Sequence, residues 1–291
     1  MESFTSISLR KKVLFSLASV LIFFTLLELA LMGWGIDPVL QTEDPFVGFS
    51  KSVPLYVPDA KSAAQAMMVT APNKQSHFNL QKFPRVKPAN TFRIFCLGGS
   101  TTYGRPFNDV TSFPGWLREF LPIADPEHSW EVVNAGGVSY ASYRIVSLMH
   151  ELIRYQPDLF VIYTGHNEFL EERSYPELAK MSPLLIKSAA TAGRLRTFAL
   201  LRRLIAKPSQ TQSKRYQMPG EVDEILNHTV GPSSYHRDDV ARDQVIKHFE
   251  FNLSRMVQLA RSCGAKVLIV SPASNLKDCS PFKSQHREGL S

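Results

Sequence analysis

The sequence predicts an α/β domain in three layers, a parallel sheet with helices on both faces, carried behind one N-terminal transmembrane helix. Three observations predict it. Short apolar runs alternate with helical stretches from residue 91 onward, the rhythm of βαβ units. Three of those runs end in polar, glycine-rich loops. An apolar stretch long enough to cross a bilayer follows a basic cluster near the N-terminus. The 291 residues carry 33 basic and 26 acidic side chains, a formal net charge of +7, and 44% of them are hydrophobic. That apolar content suffices for a core and excludes a wholly disordered chain. The 15 glycines and 19 prolines follow no short period, which excludes a collagen-like or low-complexity chain. Cys96, Cys263 and Cys279 are widely spaced and form no CxxC pair, so neither a zinc knuckle nor a disulfide framework is implied.

Arg10, Lys11 and Lys12 precede the apolar span 13–35, in which Glu28 is the sole charge. About twenty helical residues cross the hydrocarbon, and basic residues in front keep the N-terminus cytoplasmic and send the rest outward. The apolar stretch exceeds the roughly 7–15 residues of a signal peptide. An uncleaved, single-pass anchor in the cytoplasmic membrane is therefore favoured over a cleaved signal, and the domain is expected outside the cytoplasm. Glu28 reads as a charge reaching the interface rather than as a partner contact. Residues 1–36 form the cytoplasmic tip and anchor, and residues 37–90, rich in proline, a stalk and an irregular lead-in that packs on the domain. Residues 91–291 form the domain itself.

Within it the apolar runs 92–97, 130–134, 159–163 and 266–270 read as buried strands. Residues 113–121, 142–155 and 238–263 read as helices; the last carries Val245, Phe249, Leu253, Met256 and Leu259 at three-to-four spacing. A helical insertion, 187–215, holds eight basic residues (Lys187, Arg194, Arg196, Arg202, Arg203, Lys207, Lys214 and Arg215) and no acidic one, so it accounts for the whole net charge, +8 against −1 elsewhere. Leu195, Phe198, Leu201, Leu204 and Ile205 give it an apolar face. Packing of that face on the domain is favoured over contact with anionic lipid. Nucleic acid is a poorer partner still, because the topology puts this helix outside the cytoplasm.

The chemistry-bearing residues lie in the three loops: Gly98-Gly99-Ser100-Thr101-Thr102, Asn134-Ala135-Gly136-Gly137-Val138-Ser139, and Gly165-His166-Asn167-Glu168. In an open parallel sheet, ligands bind beyond the carboxyl ends of the strands, so these loops converge on one crevice. After two glycines, Ser100 can sit on a tight turn that presents its hydroxyl. Asn167 can offer side-chain N–H donors to a developing oxyanion, and the loop after Asn134 can add a backbone N–H. A hydroxyl nucleophile among neutral donors suits acyl transfer. Gly99, Thr101, Gly165 and His166 would border the substrate. His77, His128, His150, His228, His236 and His248 show no metal-ligand pairing, and no cofactor or metal is called for.

These blocks, FCLGGSTTYG, VVNAGGVSYAS and IYTGHNEF, resemble those of the SGNH (GDSL-type) hydrolase family. The resemblance implies a flavodoxin-like sheet, Ser100 as nucleophile, and an oxyanion hole made by the Ser100 N–H, a second-block N–H and the Asn167 amide. The second-block donor falls on Ser139, with Gly137 close by. Gly99 stands where the family usually has an acidic residue, and Glu168 where it usually has Asp. The family's closing Asp-x-x-His block, which supplies base and acid, has no counterpart after the last strand: His286 has Lys283, not Asp, three residues earlier. Asp125-Pro126-Glu127-His128 has the spacing but precedes a strand, at the wrong edge of the sheet, and reads as a turn. The sequence reads as such a protein cut short ahead of that block.

The leading expectation is a serine esterase acting on O-acyl esters of a glycan or lipid outside the membrane. The alternatives are a non-catalytic binding or scaffold module that keeps the crevice without its base, and an O-acyltransferase.

Overall fold

The structure is a computed structural model that describes residues 8–42, 53–62, 67–170, 182–205, 237–274 and 277–278. Helix α1 (Leu9–Gly33) is followed by the short α2 (Val39–Thr42). Strands β1 (Tyr56–Pro58), β2 (Met67–Thr70) and β3 (Lys82–Pro84) come next. The main domain then runs β4 (Thr91–Gly98), α3 (Ser100–Tyr103), α4 (Phe113–Ala124), β5 (Ser129–Gly136), α5 (Ser142–Leu152) and β6 (Leu159–Tyr163). Helices α6 (Pro183–Ala192), α7 (Arg196–Ile205) and α8 (Asp239–Ser262) lead to strand β7 (Lys266–Ile269).

Strands β4 to β7 form one parallel sheet in the order β5-β4-β6-β7. This is the first part of the doubly wound 2-1-3-4 order, with its switch point between β4 and β6. Alternation along each strand sorts the side chains into two layers. Phe95, Leu97, Val133, Ala135, Phe160 and Ile162 point to one face, where α5 and α8 cover them through Ile145, Met149, Leu152, Met256 and Ala260. Ile94, Cys96, Val132 and Val161 point to the other, under Phe113, Leu117 and Leu121 of α4. Both faces of the central strands are thus apolar, which is why they read as continuous apolar runs. Burial pushes the Cys96 thiol up to about 12.

The lead-in differs from the expectation of a stalk and irregular chain. Its described residues form a three-stranded antiparallel sheet, β1-β2-β3, and supply Leu55, Tyr56, Met68, Phe78 and Phe83 to the main core. Tyr56 and Phe83 meet edge to face at 4.8 Å, and Phe83 meets Phe95 at 5.6 Å. Strands of three or four residues, two of them ending in Pro58 and Pro84, are too short to show a period in the sequence.

At the amino edge of the main sheet, Arg93 is fully buried. Its guanidinium pairs with Glu131 and donates to the carbonyls of Tyr155 (2.5 Å) and Pro84 (2.8 Å). Its backbone N–H donates to Asp158 at 2.7 Å, and Asp158 in turn pairs with Lys87. A buried charge is tolerable only when paired and hydrogen-bonded in this way.

The insertion 187–215 is described as far as residue 205; its remaining basic residues Lys207, Lys214 and Arg215 lie outside the described residues, as do His228, His236, Cys279 and His286. Its described part spans the end of α6 and all of α7, a helical pair that packs beside α1 and α2.

Candidate active site

Pairing register brings three strand ends level. Gly98 of β4 lies opposite Gly136 of β5 and opposite Tyr163 of β6. The loops that leave these three residues therefore start side by side at the carboxyl edge, at the switch point. This is the convergence expected from the three blocks.

The first loop turns straight into α3, with Ser100 as its first residue. The turn is possible because its residues have no side chains to clash. A Cβ on Gly98 would lie 2.1 Å from both the Tyr163 carbonyl and the Thr102 Oγ1. A Cβ on Gly99 would lie 2.6 Å from the Asn167 Nδ2. The serine turn and the Asn167 amide are thus in direct approach across the β4–β6 edge. Ser100 is partly exposed, Thr101 is exposed, and Thr102 is buried beneath them, its hydroxyl facing the Leu97 and Tyr163 carbonyls.

The second loop is a turn closed by the Tyr140 N–H on the Gly137 carbonyl at 3.1 Å, with Ser139 in the left-handed region at φ 61°. The Gly137 N–H is spent on the Gly98 carbonyl (3.0 Å) and the Val138 N–H on the His77 carbonyl (2.9 Å). No described acceptor takes the Ser139 N–H. Beneath the turn, the fully buried Arg144 donates to the Ser139 carbonyl and stacks its guanidinium over the Tyr140 ring at 4.5 Å.

The third loop carries Asn167, whose Nδ2 donates to the Tyr140 carbonyl at 3.0 Å. One of its two amide hydrogens is so used and fixes the side chain; the second remains for a ligand. Glu168 turns inward, and its carboxylate accepts from the Ser142 N–H (2.8 Å) and hydroxyl (2.7 Å) at the start of α5. Asn252 of α8 donates to the same Ser142 hydroxyl at 3.0 Å. A carboxylate there satisfies an orphan N–H of the first turn and suits the helix dipole. This anchoring ties the third loop to the start of α5 beside Asn167. Gly165 has φ 133°, and Pro272 lies 2.9 Å from where its Cβ would be. His166 is exposed, with its ring edge-on to Tyr163 at 5.1 Å, and desolvation lowers its pKa. It makes no described hydrogen bond with Ser100.

Sequence reasoning missed the layer under the serine turn. Asp109 takes two hydrogen bonds from Arg118 (2.8 and 2.9 Å), one from Gln81 (2.9 Å) and one from the buried Asn134 (2.7 Å). Burial works to raise the Asp109 pKa, but the Arg118, Asn134 and Gln81 bonds outweigh it and hold the carboxyl below its ordinary value. Asn134 also accepts from the Gly136 N–H (3.0 Å) and, like Asn79, donates to the Tyr103 carbonyl at the end of α3. No local pattern links residues 81, 109, 118 and 134; the Asn108-Asp109 pair ahead of a helix start was the one available signal. His128 and Asp125 are paired at 2.8 Å in an exposed turn before β5, at the amino edge away from Ser100. Among the described residues no cluster of three His, Cys, Asp or Glu could hold a metal.

No family model matches the chain, and no curated protein does. Solved structures similar to it include TesA, at 18% identity over 61% of this chain and 58% of that one, with a TM-score of 0.31. A variant of Axe2, an acetyl xylan esterase from Geobacillus stearothermophilus, is 14% identical over 63% of this chain and 77% of that one, with a TM-score of 0.29. AlinE4, an SGNH-hydrolase family esterase, is 16% identical over 62% and 77%, with a TM-score of 0.26. This chain thus spans little more than half the length of TesA, and it is the geometry of the loops, rather than these similarities, that bears on function.

Proposed function

We propose that the chain is a serine acyl hydrolase of the SGNH type, tethered by α1 and facing outward, with Ser100 as nucleophile. The observation that carries the reading is the approach of the Asn167 amide to the Gly99–Ser100 turn. In this reading the Ser100 hydroxyl and the remaining Asn167 side-chain N–H share one sheet edge, as a carbonyl under attack requires.

The Ser100 Oγ attacks the ester carbonyl carbon, and the carbonyl oxygen becomes an oxyanion. The Asn167 Nδ2 and the backbone N–H groups of Ser100 and Ser139 receive it; of the two second-loop candidates Ser139 is preferred, because Gly137 is already bonded to Gly98. A base takes the serine proton and returns it to the departing alcohol. Water then releases the acid, whereas a second alcohol in its place makes the same site an O-acyltransferase. The bordering surface is Gly99, Thr101, Gly165 and His166. The substrate class is an O-acyl ester on a glycan or lipid.

A second reading, a crevice that binds an acyl group without turning it over, is favoured by one observation: no described histidine hydrogen-bonds Ser100. Without a base, only residual catalysis from binding and the oxyanion donors is expected.

Support for the tether lies in α1. Its most apolar window has a mean hydropathy of 2.3 with none of it buried, and 25 residues at about 1.5 Å each span a bilayer.

The test is a fluorophosphonate probe on the full chain. Labelling that disappears in Ser100→Ala supports the nucleophile, and labelling that survives overturns it. Ester hydrolysis should fall by about 10²–10³-fold in Asn167→Ala. A chain that the probe leaves unlabelled and that is inert towards esters, yet binds an acyl ligand, would favour the binding reading.

A further inference from the structure

The basic insertion was expected to pack its apolar side on the domain. Among the described residues it does the reverse. Phe198, Leu201, Leu204 and Ile205 fall on one face of α7 by their three-to-four spacing, and the last three are 53%, 75% and 71% exposed. The buried residue of α7 is Ala199, on the opposite side. The helix is held by its other end. Glu28, the lone charge of the apolar span, accepts from the Arg196 N–H (2.9 Å), the Thr197 N–H (2.8 Å) and the Thr197 hydroxyl (2.7 Å). A residue of α1 therefore caps α7, which packs against α1.

We propose that α7 lies in the outer membrane–water interface, with its apolar face among lipid chains, the exposed Arg194 and Arg203 toward anionic headgroups, and its position set by Glu28. Two independent observations commit the occupant to lipid. The exposed apolar face belongs to a helix packed against α1, on which Leu29 and Met32 are likewise exposed. Trp34, at the end of α1, is 77% exposed, and aromatic residues of this kind mark the interface. Glu28 precedes it by six residues, so the capped end of α7 lies about 9 Å deeper along the helix. That matches the roughly 5–10 Å to which interfacial helices sink. The basic side chains complement anionic lipid. The proposal rests on the reading of α1 as a retained membrane helix.

The test places an NBD fluorophore on the full chain in nanodiscs of phosphatidylcholine and phosphatidylglycerol, with quenching by spin-labelled lipid. Three introduced cysteines are compared, Leu204→Cys in α7, Leu21→Cys in α1 and Phe107→Cys near the serine loop, each against background labelling of the unsubstituted chain with its three native cysteines. Quenching at 21 and 204 but not at 107 is expected. An unquenched 21 overturns the anchor itself; a quenched 21 with an unquenched 204 overturns the interfacial helix alone. Replacing phosphatidylglycerol by phosphatidylcholine, or introducing Arg194→Glu with Arg203→Glu, should reduce quenching at 204 at least twofold and leave 21 unchanged. Glu28→Gln should also lower quenching at 204 while Glu28→Asp retains part of it, and equal quenching in both would overturn the role of the cap.

Discussion

Gly99→Ala adds one methyl group at the point where the serine turn and the Asn167 amide meet. The new Cβ would sit 2.6 Å from Nδ2, against about 3.4 Å for ordinary contact, and 3.3 Å from the Tyr140 carbonyl. Gly99 has φ −89°, which alanine adopts without strain, so the effect is contact and not backbone conformation. The amide must retreat by about 0.8 Å, and its 3.0 Å bond to Tyr140 must lengthen or turn. A displacement approaching 1 Å in a group that stabilises the transition state costs about 10²-fold, or ~2.7 kcal/mol. The assay is the rate of fluorophosphonate labelling at Ser100, compared with hydrolysis of a short aryl ester, with the far-ultraviolet circular dichroism unchanged. The double variant supplies the decisive comparison. If the methyl group acts through Asn167, Gly99→Ala should add less than about threefold in an Asn167→Ala background, because the two share one mechanism. A Gly99→Ala chain labelled within threefold of the parent, or a full second loss in the double variant, would refute the arrangement.

Three further outcomes follow from the same coordinates. Asp109→Asn should cost about 1.5–3 kcal/mol of stability at pH 7, as expected for losing hydrogen bonds to a charged group. Because the folded pKa of Asp109 is lowered, this contribution is fully present above the ordinary carboxylate range and is lost as pH falls through the folded value. Urea titrations should therefore show the gap between parent and variant closing in acid. Glu168→Gln should lower stability by about 1–2 kcal/mol through the start of α5, and it should depress the labelling rate at Ser100, which a purely structural cap remote from Asn167 would not do. Alkylation of the native chain at pH 8 should spare Cys96, buried with its thiol pushed up to about 12, and reach it once urea unfolds the domain; mass spectrometry of the peptide containing residue 96 reads this directly.

The main sheet was legible in the sequence because its strands are buried on both faces, so Ile94 to Leu97 and Leu159 to Tyr163 stand out as unbroken apolar runs. The site was legible for a related reason: glycine is required wherever another backbone or an amide comes close, and Gly98, Gly99 and Gly136 each mark such an approach. What escaped notice was long-range. Glu28 looks like an isolated charge in an apolar helix until residues 196 and 197 are placed against it. Gln81, Asp109, Arg118 and Asn134 come together through loops whose paths no periodicity describes. Strands β1 to β3 are shorter than one recognisable repeat.

Arg93 and its partners bolt the amino edge of the sheet with ionic contacts, while the carboxyl edge is assembled from bare glycine turns. The two rims of one sheet are therefore held together by different physics. Changes around Glu131, Tyr155 and Asp158 would leave buried charge unpaired, whereas a side chain added at Gly98 or Gly136 would force neighbouring backbone apart. One rim thus fails by losing charge pairs and the other by losing close approach, although the same strands carry both.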